Sequence, residues 1–231
     1  MAALARDEAL MTQLLQYRFG GHHPLPEQSV LRGHAFGNLL LAALAGLTGS
    51  FEEGLLAAQR VLAIRGRVIP ATLTPVVLMA EVMRDGQRHL VVGESAIPEA
   101  NGRVERVWLE PEQARAYPEA IRAILQADLV VIGPGSLYTS ILPNLFVRDL
   151  AGALASTRAL KLYVGNVATQ KGETDGFTLA DHVRVLTDYV GEGGWMWCWA
   201  MNQTRLLSKP IPVWILCWLL YLPVSASSWP I

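Results

Sequence analysis

The sequence predicts an α/β protein: a Rossmann-like, doubly wound, mostly parallel sheet with a small antiparallel β addition. Three observations predict it. Leu129-Val130-Val131-Ile132 is a short, unbroken apolar run, as expected of a strand buried on both faces of a parallel sheet. A helical stretch, Arg148 to Ser156, then leads to a second such run, Leu160 to Val164, and this alternation is that of βαβ units. Between residues 67 and 109 lie shorter β-rich runs, two of them joined by Asp85-Gly86, the turn of an antiparallel hairpin.

Taken in order, Asp7 to Phe19 places apolar residues at helical spacing, with acids at its start to suit the helix dipole. Gly20-Gly21-His22-His23-Pro24 breaks it. Paired histidines suggest a metal, but no carboxylate or cysteine stands near them, so a solvated loop is expected. Leu31 to Leu47 (LRGHAFGNLLLAALAGL) becomes nearly all apolar from Phe36, which predicts a helix buried in the middle of the domain. Asn38 at its mouth is either a ligand contact or a hydrogen-bonded core residue. Thr48-Gly49-Ser50 ends this helix, and Ser50 with Glu53 makes a capping box for a helix over Phe51 to Ala63. Strands are expected over Arg67–Leu73, Pro75–Val82, Arg88–Gly93 and Arg103–Leu109, and a helix over Pro111–Gln126. Glu94 and Ser95, just past the third of these strands, fit a ligand edge and ordinary turn polarity equally well.

Length and charge bound the function. The 231 residues are enough for one sizeable α/β domain and hardly for two. A net charge of −1 with no basic run gives no reason to expect nucleic acid as a partner. Residues 1–20 carry acids and lack a long apolar run, so no secretory signal is expected and the body reads as cytoplasmic. Both cysteines, Cys198 and Cys217, lie near the end, and neither a disulfide framework nor a metal site is implied.

The candidate site follows the first parallel strand. Gly133-Pro134-Gly135 is a turn that opens a helix, and Ser136, Tyr138, Thr139 and Ser140 bring hydroxyls within the next five positions. Such a turn aims free backbone N–H groups at the sheet's carboxyl edge, where anions and phosphates bind. The second strand ends in Asn166-Val167-Ala168-Thr169-Gln170-Lys171-Gly172-Glu173, which is polar and long for a strand-to-helix connection. Thr178 and Asp181 then cap a helix over Leu179 to Val190. Two adjacent strands thus deliver polar loops to one edge.

LRGHAFGNLLLAAL, VLAIRGRVIPATL, GES, GPGSLYTSILPN, NVATQKGETDGF and the later DHV together resemble the YvcK family of gluconeogenesis factors. That family is homologous to the 2-phospho-L-lactate transferases (CofD-like). The resemblance covers about residues 8–190. It implies a cytoplasmic regulatory protein that binds UDP-N-acetylglucosamine, with NAD or GDP as further candidate ligands, needed for cell morphology and growth under gluconeogenic conditions. It requires no cofactor, assigns no catalytic residue, and allows a homo-oligomer. The ligand edge it implies comprises Gly135, Ser136, Thr139, Ser140, Asn144, Asn166, Thr169, Gln170 and Glu173; Gly133 and Tyr138 of the same turn, and Asn38, are further candidates read from the residues themselves.

The alternative is a transferase that moves a phosphoryl-containing group from a nucleotide-linked donor. Such chemistry needs acids to hold Mg²⁺ beside phosphates. Near the two loops only Glu173, Asp175 and Asp181 qualify, which favours binding over catalysis.

Two departures from the family pattern lead to the expectation of a truncated domain over 1–192. The glycine-rich GGGTG loop and the acidic DDGGSSGRLR segment are missing, and residues 193–231 differ in kind. From Gly193 onward only Arg205 and Lys209 are charged, and six of the seven tryptophans fall there. The most apolar piece, Ile211 to Val224, is too short for a bilayer span, which takes about 20 residues, and it holds Pro212 and Pro223. No membrane partner is expected, and the tail reads as frameshifted or non-native sequence.

Overall fold

The computed structural model describes residues 8–21, 29–64 and 66–190, together with the backbone of 197–200. The His22-His23 pair and the tail beyond Ala200 lie outside the described residues. The chain forms two compact units, Met1–Val68 and Ile69–Ile231.

The first unit is helical: α1 (Glu8–Gln16), α2 (Phe36–Thr48) and α3 (Phe51–Val61). The predicted punctuation is where it was expected. Gly49 closes α2 in the left-handed conformation, and the Ser50 hydroxyl accepts the Glu53 N–H to start α3. The two helices approach closely at Gly54, where a Cβ would lie 2.6 Å from the Ala45 backbone. The predicted burial of α2 is corrected. None of its residues is buried, and Leu47 is 83% exposed. Its packing against α1 and α3 covers only part of an apolar circumference, and composition cannot say how much of a helix is covered. Among the described residues no single helix is long and apolar enough to cross a membrane.

The second unit holds two sheets. β1 (Val77–Arg84), β2 (Gln87–Val92) and, after the short α4 (Ala96–Glu99), β3 (Arg103–Glu110) form an antiparallel sheet in the order β2-β1-β3. Asp85 and Gly86, both at positive φ, make the two-residue hairpin turn that pairs Arg84 with Gln87. Next come α5 (Pro118–Gln126), β4 (Leu129–Ile132), a π-helical turn (Leu137–Ile141) and α6 (Leu142–Leu145). They are followed by α7 (Arg148–Ser156), β5 (Leu160–Gly165), α8 (Leu179–Val190) and β6 (Trp197–Ala200). The parallel sheet runs β4-β5-β6, with Leu129 opposite Leu160 and Ile132 opposite Tyr163. β6 therefore joins the parallel sheet beside β5, pairing Leu162 with Trp197 and Gly165 with Ala200.

The result is a mixed α/β architecture with one parallel and one antiparallel sheet, and four expectations change in detail. The antiparallel strands make a sheet of their own rather than extending the parallel one. Residues 67–73 form no strand, only an isolated bridge from Thr72 to Ala116. The helix expected from Pro111 begins at Pro118, because a proline suits the first helical turn and holds Tyr117 before it extended. Burial in β4 alternates rather than being complete on both faces. Val130 and Ile132 are buried, whereas Leu129 and Val131 are only partly covered.

One apolar core joins the sheets. Leu78, Ala80 and Val82 of β1 and Val107 and Leu109 of β3 meet Ile97, Ile124, Val130, Ile132, Leu150 and Tyr163. It fixes the carboxyl ends of β4 and β5 side by side.

Candidate functional site

Gly133 ends β4 at φ +86°, and a Cβ there would stand 2.5 Å from the Val164 carbonyl oxygen. Only glycine lets the chain turn this close to the neighbouring strand. The turn after it is tied to the loop that follows β5. Asn166 Oδ1 accepts the Gly135 N–H at 3.2 Å, and Asn166 Nδ2 donates to the Gly135 carbonyl at 2.9 Å and to Gln170 Oε1 at 3.1 Å. Gln170 Nε2 in turn donates to the Ser136 hydroxyl at 2.7 Å. Deeper in, the Thr139 hydroxyl donates to Glu173 Oε1 at 3.0 Å.

Of the residues predicted from sequence, Gly133, Gly135, Ser136, Thr139, Asn166, Gln170 and Glu173 come together in this arrangement. Tyr138 is buried, with its ring edge-on to Phe177 at 6.3 Å. Asn144, 1% exposed, spends its amide N–H groups on the carbonyls of Ser140 and Ile141, a helix-internal role. Ser140 is partly exposed, and Thr169 is exposed at the rim. Asn38 belongs to the first unit, where it is exposed in the first turn of α2.

The expectation of free N–H groups at the glycine turn is corrected. The Gly135 N–H is taken by Asn166, and the Glu173 carboxylate lies against the turn that follows, accepting the Thr139 hydroxyl. The protein's own acid thus sits where an anion would be received. Sequence reading could not see this, because Glu173 lies 34 residues from Thr139. Ser136 keeps its O–H proton to donate, since its oxygen is the acceptor of the Gln170 bond.

The electrostatics centre on acids. Burial raises the Glu173 carboxyl above its ordinary value, partly offset by the Thr139 hydroxyl and the nearby backbone N–H dipoles of Tyr138 and Thr139. Burial likewise raises Glu94, and the nearby Glu173 charge raises it further. Burial, with the charges of Tyr189 and Glu173, pushes Tyr138 up to about 12. Asp181 is the contrast. Its carboxylate accepts both the N–H and the hydroxyl of Thr178, and with Arg184 this holds it at about 2. It is the helix cap that the sequence predicted.

A testable pH dependence follows. Glu94 and Glu173 bind protons more tightly in the folded chain than in the unfolded one, where carboxyls titrate near about 4.3. The folded state therefore holds more protons above that value, and stability falls as pH rises through that window. Glu94→Gln is expected to flatten the fall as pH rises above the ordinary carboxylate range, read as the urea midpoint at each pH. An unchanged slope would show that burial in the folded chain does not raise the Glu94 carboxyl.

Sequence reasoning left Glu94 undecided and passed over two neighbours. Lys171 is exposed within the second loop. His182 is buried on α8, where its Nδ1 lies 2.9 Å from the Thr178 carbonyl and its Nε2 has no partner. A carbonyl only accepts, so Nδ1 carries a proton. The signal was one histidine on the inner face of an amphipathic helix.

Fold and site together define a mixed α/β protein whose parallel sheet carries two mutually bonded polar loops at its carboxyl edge. The chain belongs to the CofD family, whose model, described as 2-phospho-L-lactate transferase CofD, matches residues 1–212. It is similar to the gluconeogenesis factor of Bacillus subtilis, 47% identical over 193 residues that cover 84% of this chain and 58% of the relative. The gluconeogenesis factor of Listeria monocytogenes is 46% identical over 192 residues, covering 83% of this chain and 57% of that one. A solved structure of a UPF0052-family protein from Bacillus halodurans superposes with a TM-score of 0.74 at 40% identity, over 89% of this chain and 63% of that one. The chain spans about half the length of the curated relatives it matches.

Proposed function

We propose that this chain belongs to a nucleotide-sugar-binding regulatory protein of the gluconeogenesis-factor branch, with UDP-N-acetylglucosamine as its ligand. The observation that carries the reading is the pair of loops after β4 and β5, wired together at a parallel sheet's carboxyl edge. Open α/β sheets take their ligands there. Ser136, Ser140, Thr169 and Lys171 offer it hydroxyl and ammonium groups with accessible surface. The relatives' names support a role in growth on gluconeogenic carbon sources. A cytoplasmic location, a Rossmann-like doubly wound sheet in the full-length protein and a role in cell morphology complete the proposal.

A transferase reading has one observation in its favour, the description of the family model itself. Against it, Asp175 is committed to the Gly172 N–H and Asp181 to capping α8, so neither is free to serve phosphoryl chemistry. Calorimetry with UDP-N-acetylglucosamine on this chain and on the full-length Bacillus subtilis relative tests the proposal. Alanine at both Ser136 and Ser140, or at the matching positions of the relative, should weaken binding about ten- to a hundredfold, since a hydrogen bond to a charged group is worth roughly 1.5–3 kcal/mol. Unchanged affinity in a folded double variant would overturn it. Turnover of a nucleotide-linked donor would instead favour the transferase.

A further inference from the structure

The antiparallel sheet, in the order β2-β1-β3, gives β3 a ladder partner on one side, and among the described residues its other edge is unpaired. An unpaired edge is a ready template for another strand, and bulges, charges and prolines limit where pairing can occur. Here those limits set a frame. The ladder to β1 shifts register between Glu81 and Val82, so Glu105 bulges with no residue opposite it. Pro111, which has no N–H to donate, follows the last residue of the strand. The regular part of the edge is therefore Arg106 to Glu110, with Trp108 at its centre.

That segment is matched to its own reversal. Arg106, Trp108 and Glu110 share the outer face of the sheet, opposite Glu81, Met79 and Val77 of β1. Val107 and Leu109 face the core, each 2% exposed. Laid antiparallel against a second copy about a two-fold axis at Trp108, the segment sets Arg106 against Glu110 of the second copy, Val107 against Leu109, and Trp108 against Trp108. Opposite charges, aliphatic pairs and paired aromatics are the cross-strand neighbours that stabilise a sheet. Both charges are exposed, and among the described residues neither has an ion-pair partner. Arg106 lies instead over the Trp108 ring, 5.3 Å from its centroid. The other edge offers no such match. The outer-face residues of β2 are Arg88, Leu90 and Val92, and the Arg88 charge already meets Glu105 at 3.0 Å.

We propose that β3 is an association edge: two copies of this chain pair antiparallel through Arg106–Glu110 and join their three-stranded sheets into one continuous sheet. The two-fold makes the contact self-complementary and closed, so the product is a dimer and not an open chain of copies. One strand edge is at the small end of protein interfaces, so a weak dimer is expected, with a dissociation constant of about 10–100 µM. The proposal is independent of what the loops after β4 and β5 bind.

Sedimentation velocity of the full chain across the micromolar range should show a monomer–dimer equilibrium, with circular dichroism confirming the fold of each variant. Arg106→Glu and Glu110→Arg each set like charges opposite one another at both ends of the segment. Each should weaken the dimer at least about tenfold. An equal mixture of the two variants restores opposite charges at both ends and should bring back association of wild-type strength. Neither a folding defect nor the loss of a surface charge can produce that rescue. Leu90→Lys, on the opposite edge of the sheet, should leave association unchanged. A monomeric wild type, single variants that dimerise as well as the wild type, or a mixture that stays monomeric would overturn the pairing. Loss of the dimer in Leu90→Lys would also overturn it.

Discussion

Replacing Gly133 with alanine is expected to destabilise the second unit by roughly 3–5 kcal/mol, the sum of a left-handed backbone penalty and a clash with main chain. The residue sits at φ +86°, and its added Cβ would meet the Val164 carbonyl oxygen at 2.5 Å. That oxygen belongs to β5, the strand paired with β4, so relief requires the two strands to part where the site is built. Urea unfolding should show the midpoint falling with little change in slope. Gly176→Ala is the control. Gly176 has φ +73° but nothing within 4 Å of the new methyl, so only the backbone penalty of about 1–2 kcal/mol applies. Equal losses at the two positions would show that the close approach of Gly133 to Val164 contributes nothing.

Asn166→Ala should cost about 2–4 kcal/mol and loosen both loops together. The side chain makes three hydrogen bonds, two of them to the backbone of Gly135 and one to Gln170. Alanine removes all three and strands a partly buried N–H, and an unsatisfied group costs more than the average bond it replaces. Asn166→Asp separates the contributions. It keeps the acceptor for the Gly135 N–H but sets carboxylate oxygens against the Gly135 carbonyl and Gln170 Oε1. It should therefore be no better than alanine, and worse at neutral pH than in acid. Hydrogen exchange at Gly135 reads the effect directly. Protection unchanged by Asn166→Ala would mean that the turn holds itself.

Much of this was legible in the residues. The Ser50–Glu53 box, the Asp85-Gly86 hairpin and the Thr178–Asp181 cap are local chemistry, completed within four positions of the chain. The parallel strands were legible because βαβ alternation is also short-range. What the sequence could not show was who meets whom across 30 residues or more. Asn166 and Gly135 are 31 apart, and Thr139 and Glu173 are 34 apart. Each looked like a polar group awaiting a ligand, and each is engaged with another of the same set. α2 misled for a different reason: hydrophobicity says what would gain from cover, not that cover is supplied.

The bonds among Asn166, Gln170 and Ser136 bear on how fast and at what entropic cost a guest is taken in. Loops that must be ordered on contact lose roughly 0.5–1.5 kcal/mol of binding free energy for each side chain immobilised. Here three such side chains are fixed when the protein folds, before any guest arrives. Association should then need little rearrangement, and its rate should be set by encounter rather than by a slow closing step. The same rigidity narrows what is accepted. A guest that does not match the ready-made hydroxyl of Ser136 finds no alternative arrangement of the loops to welcome it.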